Sequence, residues 1–228
     1  MWKPLTVSPP TRSSTKRPDW TWYATGPGVG IQLVNGPHKG RLLAACDHAE
    51  AGTKLYGSHA IYSDDHGATW KLGGSCPQVN TNECQSVELS DGRLMLNMRS
   101  ADKAHKERSV CLSADGGATW SDFRYDPVLA EPICQASLIA YRGRNLRPIL
   151  LFSNPADPAA RHNLTVRLSR DDGRTWPIAR ILHPGPAAYS CLAALPNSDV
   201  GCLYERGSAN PYETITFARF DLVWLEAQ

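Results

Sequence analysis

No stretch of this 228-residue chain approaches the ~18 consecutive apolar residues that a transmembrane helix needs. Its start, MWKPLTVSPPTRSSTKRPDW, lacks the apolar centre of a signal peptide, so the sequence reads as soluble, with no compartment indicated. An excess of one charge is missing too: 24 basic and 22 acidic residues leave a formal net charge of +2, which gives no reason to expect nucleic acid or a membrane surface as partner. The basic cluster Arg12 to Arg17 reads as a solvated part of an irregular lead-in spanning residues 1–20. Long helical periodicity is absent, and helix bundles and coiled coils go with it. The seven cysteines (Cys46, Cys76, Cys84, Cys111, Cys134, Cys191 and Cys202) are odd in number and contain no CxxC, so mostly reduced, buried thiols are expected; no metal or other cofactor is implied.

What the chain does contain is punctuation. Eighteen glycines and 17 prolines separate short runs rich in β-branched and aromatic residues, such as Ile31 to Val34 and Leu164 to Leu168, which reads as all-β. One pattern, Ser-x-Asp-x-Gly-x-Thr-Trp, occurs three times, at Ser63–Trp70, Ser113–Trp120 and Ser169–Trp176. The copies start 50 and 56 residues apart, a spacing typical of propeller blades or solenoid turns. Physically the pattern describes a hairpin turn. Asp65, Asp115 and Asp171 can accept hydrogen bonds from their own turn, Gly67, Gly117 and Gly173 can take positive φ, and the closing Trp is expected to be buried as a peg. At roughly 50 residues per blade the chain holds about four blades. These boxes identify a fold and not a chemistry.

Residues able to do chemistry arrive about once per blade, which points to a shared centre. They are Asn82-Glu83-Cys84-Gln85, Arg99 at the end of the strand-like Leu94 to Arg99, Ser153-Asn154-Pro155 with Arg161 after it, Pro184 to Ser190 with Tyr189, and Leu203-Tyr204-Glu205. Together with the three boxes and Gly26 to Gln32, this order of motifs resembles the exo-α-sialidases (neuraminidases), the bacterial enzymes and the animal lysosomal one, over nearly the whole chain.

The resemblance implies a six-bladed β-propeller with its site on the central axis, of which about four blades are present, the whole of 1–228 forming one N-terminally truncated sialidase-type domain. It implies a retaining glycoside hydrolase that releases terminal sialic acid from sialylated glycans. Sialic acid carries a carboxylate on its anomeric carbon, and the planar guanidinium fork matches it. Arg99 and Arg161 match two of the family's three arginines. A carboxylate nucleophile would be repelled there, a neutral phenol would not, and sialidases use tyrosine; Tyr189 matches it. A phenol with a pKa of about 10 needs a base at neutral pH, and Glu83 matches that base. Glu205 matches the glutamate that braces the family's first arginine.

The chain departs from the family at its start. The Arg-Ile-Pro segment that supplies the first arginine, and the aspartate that follows as general acid, have no match, and Trp2 resembles the last residue of a box whose beginning is absent. About two blades are therefore expected to be missing. Exposed blade edges would invite self-association, and loss of the acid would slow departure of a sugar leaving group on the order of 10²–10⁴-fold. The alternative is a non-catalytic sialic-acid- or glycan-binding module, or an inactive sialidase remnant. Asp47-His48, after the strand Arg41 to Cys46, lines the sugar pocket in this reading or else forms a hydrogen-bonded turn. Asn163-Leu164-Thr165 fits a glycosylation sequon by coincidence.

Overall fold

A computed structural model describes residues 15–53, 55–142 and 148–227. In the first sheet, β1 (Trp20–Thr25) and β2 (Ile31–Gln32) both pair with β3 (Leu42–Glu50), which is followed by β4 (Tyr56–Ser63) and β5 (Lys71–Ser75). A second sheet runs β6 (Thr81–Glu88), β7 (Leu94–Ser100), β8 (Glu107–Ser113), β9 (Ser121–Ala130). The third runs β10 (Ser137–Tyr141), β11 (Ile149–Pro155), β12 (His162–Ser169), β13 (Ile178–Ala194), β14 (Val200–Arg206), β15 (Thr214–Phe220), and the short helix α1 (Leu222–Glu226) follows it. Every pairing is antiparallel.

The 17-residue β13 serves two blades, because its first half pairs with β12 and its second half, from Ala187, with β14. The described residues therefore form four blades of a β-propeller, the fourth with three strands. Ile31 in β2, Val87 in β6, Leu138 in β10 and Leu192 in β13, one from each blade, line one cavity of about 390 Å³. Among the described residues no helix is long and apolar enough to cross a membrane.

Each box joins the third strand of a blade to its fourth, and its hydrogen bonds are local. Ser63 Oγ donates to Asp65 Oδ1 at 2.7 Å and accepts from Gly67 N at 2.8 Å, while Asp65 accepts from Thr69 N and Thr69 Oγ1 at 2.8 and 2.6 Å. The Asp115 and Asp171 boxes repeat this pattern within about 0.1 Å. Gly67, Gly117 and Gly173 stand at φ of 89°, 89° and 77°, where a side chain would be strained.

The Trp pegs are not equivalent. Trp120 packs with Leu43, Ala60 and Leu94 between the first and second blades, and Trp176 with Val87, Met95 and Phe152 between the second and third. Both are buried, whereas Trp70 is half-buried, which corrects the expectation of three buried pegs. The physical reason is the direction of packing. Each box Trp inserts toward the preceding blade, and no blade precedes the first among the described residues.

Trp2, Arg12 and the first fourteen residues of the lead-in lie outside the described residues, and Trp20 already belongs to β1. The strands expected at 94–99 and 164–168 are parts of β7 and β12, while that at 31–34 is shortened to β2. All seven cysteines are free, six of them buried. Asp47 and His48 are in the middle of β3, not in a turn after it, because the strand continues by pairing with β1 and β4.

Candidate active site

Two interrupted ladders aim the central side chains. Between Thr81 and Cys84 the pairing of β6 with β7 slips, three residues of β6 spanning two of β7, and Glu83 sits in the slip. The same occurs between Ala187 and Ser190 where β13 pairs with β14, and Tyr189 sits there. An extra residue of this kind bends a strand and re-aims its side chains, a common device beside active sites. Both interrupted strands are the first of their blade, so Glu83 and Tyr189, 106 positions apart in sequence, meet near the axis.

There the Tyr189 phenol donates a short hydrogen bond to Glu83 Oε1. Arg99, near the end of β7, donates through Nη1 to Glu83 Oε2 at 2.6 Å and reaches Tyr189 Oη at 3.4 Å. The side chains of Arg99 and Glu83 are 20% and 14% exposed, so the pair is sheltered but reachable. Arg161, just before β12, has its guanidinium carbon 5.8 Å from the Tyr189 ring centre and donates to Tyr212 Oη at 2.6 Å and Ile133 O at 3.0 Å. Glu205, on β14, accepts from the Tyr189 backbone N–H at 3.1 Å. The structure thus gathers all five sequence-derived residues, Glu83, Arg99, Arg161, Tyr189 and Glu205, and gives Glu205 a partner that the sequence did not indicate.

The electrostatics match the geometry. Burial, the hydrogen bond to Glu83 and the charge of that carboxylate raise the Tyr189 pKa well above the ordinary phenol value, with Arg99 opposing in part. The phenol therefore holds its proton at neutral pH, with an acceptor already in contact. Burial alone would lower the pKa of Arg99, but the hydrogen bond and charge of the Glu83 carboxylate outweigh this and raise it. Among the described residues no group of three or more His, Cys, Asp or Glu could hold a metal ion.

Asp47 is 1% exposed and accepts from the indole N–H of Trp22 at 2.7 Å. Burial pushes its pKa up to about 6; the Trp22 hydrogen bond opposes this, the Glu83 charge adds to it and Arg99 lowers it. Because the folded-state value lies above that of an unfolded Asp, the stabilising contribution is complete below about pH 4 and is lost as pH rises through about 6. Asp47→Asn removes that loss and keeps an acceptor for Trp22. Its melting temperature should gain on the parent's between pH 4 and pH 7.5 by roughly 4–10 °C, from roughly 2–3 kcal/mol. A difference that does not vary with pH would contradict the assignment.

Three buried residues that sequence reasoning did not single out support the site. Arg108 and Glu131, 1% and 0% exposed, form an ion pair at 2.7 Å. Glu131 Oε1 accepts from the backbone of Ser100, next to Arg99, at 2.6 Å, and Arg108 also donates to Asn97 Oδ1 and to Cys134 O, each at 2.8 Å. Gln135 hydrogen-bonds Ser190, next to Tyr189. A buried charge in a strand is the one signal that could have flagged Arg108, but burial is not visible in a sequence that places it two residues from Lys106.

Residues 3–202 match the BNR repeat-like domain family, the family of the Ser-x-Asp-x-Gly-x-Thr-Trp repeat. Over 220 residues, 94% of this chain, the sequence is 39% identical to the sialidase of Micromonospora viridifaciens, of which it covers 33%. This chain belongs to the BNR repeat-like domain family, and the relatives it matches are sialidases. Among solved structures, the Hadza microbial sialidase Hz136 aligns with a TM-score of 0.80 and 36% identity over 92% of this chain and 40% of its own. The leech intramolecular trans-sialidase, solved with 2,7-anhydro-Neu5Ac, aligns at 0.75 and 26% identity over 90% of this chain and 33% of its own. The sialidase fold is thus shared at high similarity, and the chain spans about a third to two-fifths of these relatives' lengths.

Proposed function

We propose that this chain carries the nucleophile, the base and part of the carboxylate clamp of a retaining exo-α-sialidase acting on sialylated glycans, within one propeller domain. The observation that carries the reading is the contact of Tyr189 Oη with Glu83, both within reach of Arg99 Nη1. Arg99 and Arg161 hold the substrate carboxylate over the Tyr189 ring. As the phenol oxygen bonds to the anomeric carbon, Glu83 takes its proton and the glycosidic bond breaks; an aryl group leaves as phenolate, whereas a sugar alcohol needs a proton from an acid outside these five residues. Water then attacks the anomeric carbon of the sialyl-tyrosine and breaks its bond to the phenol oxygen, Glu83 returns its proton to the phenol, the proton released by the water passes to the departed anion or to solvent, and two inversions give retention. Glu205 holds the Tyr189 backbone while this happens.

The test compares an aryl α-sialoside with sialyllactose, with Tyr189→Phe as control, and follows the anomer first released by NMR. A phenolate leaves with little help from an acid and a sugar alcohol needs much. Hydrolysis of the aryl substrate to the α-anomer, abolished in Tyr189→Phe, is the expected result. Cleavage of sialyllactose as well means that an acid is supplied by this chain or by an associated copy. Sialic acid binding with no turnover of either substrate would replace the proposal with a glycan-binding role.

Self-association belongs to the same proposal. The last blade exposes Leu203, Ile215 and Phe217 by 49%, 72% and 59%, an apolar face for a second copy of this chain. Light scattering should then report a mass above the 25.0 kDa of one chain.

A further inference from the structure

Tyr189 lies where the β13–β14 ladder is interrupted, so ladder hydrogen bonds alone do not hold its backbone. What restrains the next residue is a side chain of the neighbouring blade. Gln135 is 3% exposed; its Oε1 accepts from Ser190 N at 3.0 Å, and its Nε2 donates to Ser190 O at 3.0 Å and to Ala136 O at 2.9 Å. One amide thus meets both backbone groups of one residue, as an adjacent strand would, although β10 and β13 are not paired. Ser190 is held again through its Oγ, 2.8 Å from Ser153 Oγ.

Gln135 is itself anchored. The carbonyl of Cys134, the residue before it, accepts from Arg108, whose partner Glu131 holds Ser100 N next to Arg99. A single buried polar chain therefore touches the backbone beside Arg99 at one end and beside Tyr189 at the other.

We infer that Gln135 is a positioning residue, which sets the Tyr189 phenol against Glu83 by clamping the Ser190 peptide across the blade interface. The inference rests on the reading of Tyr189 as nucleophile. Gln135→Leu keeps the approximate shape and deletes both hydrogen bonds to Ser190 and the one to Ala136, so the bulged backbone gains freedom at the nucleophile. Displacements of about 1 Å at a reacting group can cost on the order of 10²-fold in rate.

The experiment labels the eight tyrosines with 3-fluorotyrosine and assigns the Tyr189 fluorine signal from the Tyr189→Phe spectrum. In Gln135→Leu the Tyr189 signal should shift or broaden while the other seven stay in place, and kcat on an aryl α-sialoside should fall about 10–100-fold with KM within twofold. Should Gln135→Leu not fold, Gln135→Glu, which keeps the acceptor and deletes the donor, gives the same readout. A Tyr189 signal that does not move in the folded variant overturns the inference, as does a moved signal with kcat unchanged. A parent chain without Tyr189-dependent hydrolysis overturns the proposed function instead, and the fluorine spectrum still decides whether Gln135 positions Tyr189.

Discussion

Glu83→Gln should lower kcat on an aryl α-sialoside by about 10²–10⁴-fold, the usual contribution of a placed general base. The substitution keeps the shape and still accepts a hydrogen bond from Tyr189, so the phenol stays in position. What is lost is a group able to take the proton. Glu83 also raises the Tyr189 pKa by hydrogen bond and charge, so its removal makes the phenol easier to ionise. The residual rate of Glu83→Gln should therefore climb with pH above neutrality, as phenolate forms without a base. KM should not rise, because Arg99 loses its contact at 2.6 Å and its guanidinium is left to the substrate carboxylate. A variant with kcat within threefold of the parent would refute the role of Glu83.

The largest stability effect is expected at the buried pair. Arg108→Met or Glu131→Leu alone should cost about 3–5 kcal/mol, because each leaves the partner charge buried without its counter-ion. For a domain of this size that is a drop of roughly 6–20 °C in melting temperature. Burial raises the Glu131 pKa despite Arg108, so the desolvation of this carboxylate outweighs its pairing. The double variant should lose clearly less than the sum of the singles. It does not become neutral, because Ser100 N and Cys134 O remain without their partners. Thermal melts of the four proteins measure the coupling, and strict additivity would mean that the two charges do not act as a pair.

These two sites differ in how legible they were. Glu83 and Tyr189 could be singled out because each stands in a run of motifs, and the order of those runs carries their proposed roles. Arg108 could not: it reads as a solvated arginine at the start of a strand beside Glu107, and only the inward turn of β8 toward Glu131 makes it structural. Gln135 belongs to the same class, since its contact with Ser190 spans 55 positions and crosses from one blade to the next. Asp47 is expected from the sequence after the strand Arg41 to Cys46, lining the sugar pocket or in a hydrogen-bonded turn, and the turn, a local expectation, lost to the pairing of β3 with β1 on one side and β4 on the other.

The sequence by itself determined the repeat and the all-β blades, and it singled out the five residues that the structure gathers. The hydrogen bonds of a box close within its own eight positions, and the motifs keep a fixed order along the chain. Only the tertiary structure decided that Trp70 stays half-buried while Trp120 and Trp176 are covered, and that slips in β6 and β13 turn Glu83 and Tyr189 toward each other. It also decided that a buried ion pair and one glutamine amide hold the strands beside them. Each of these depends on which surface of one blade meets the next, and that is a property of packing between segments far apart in the chain.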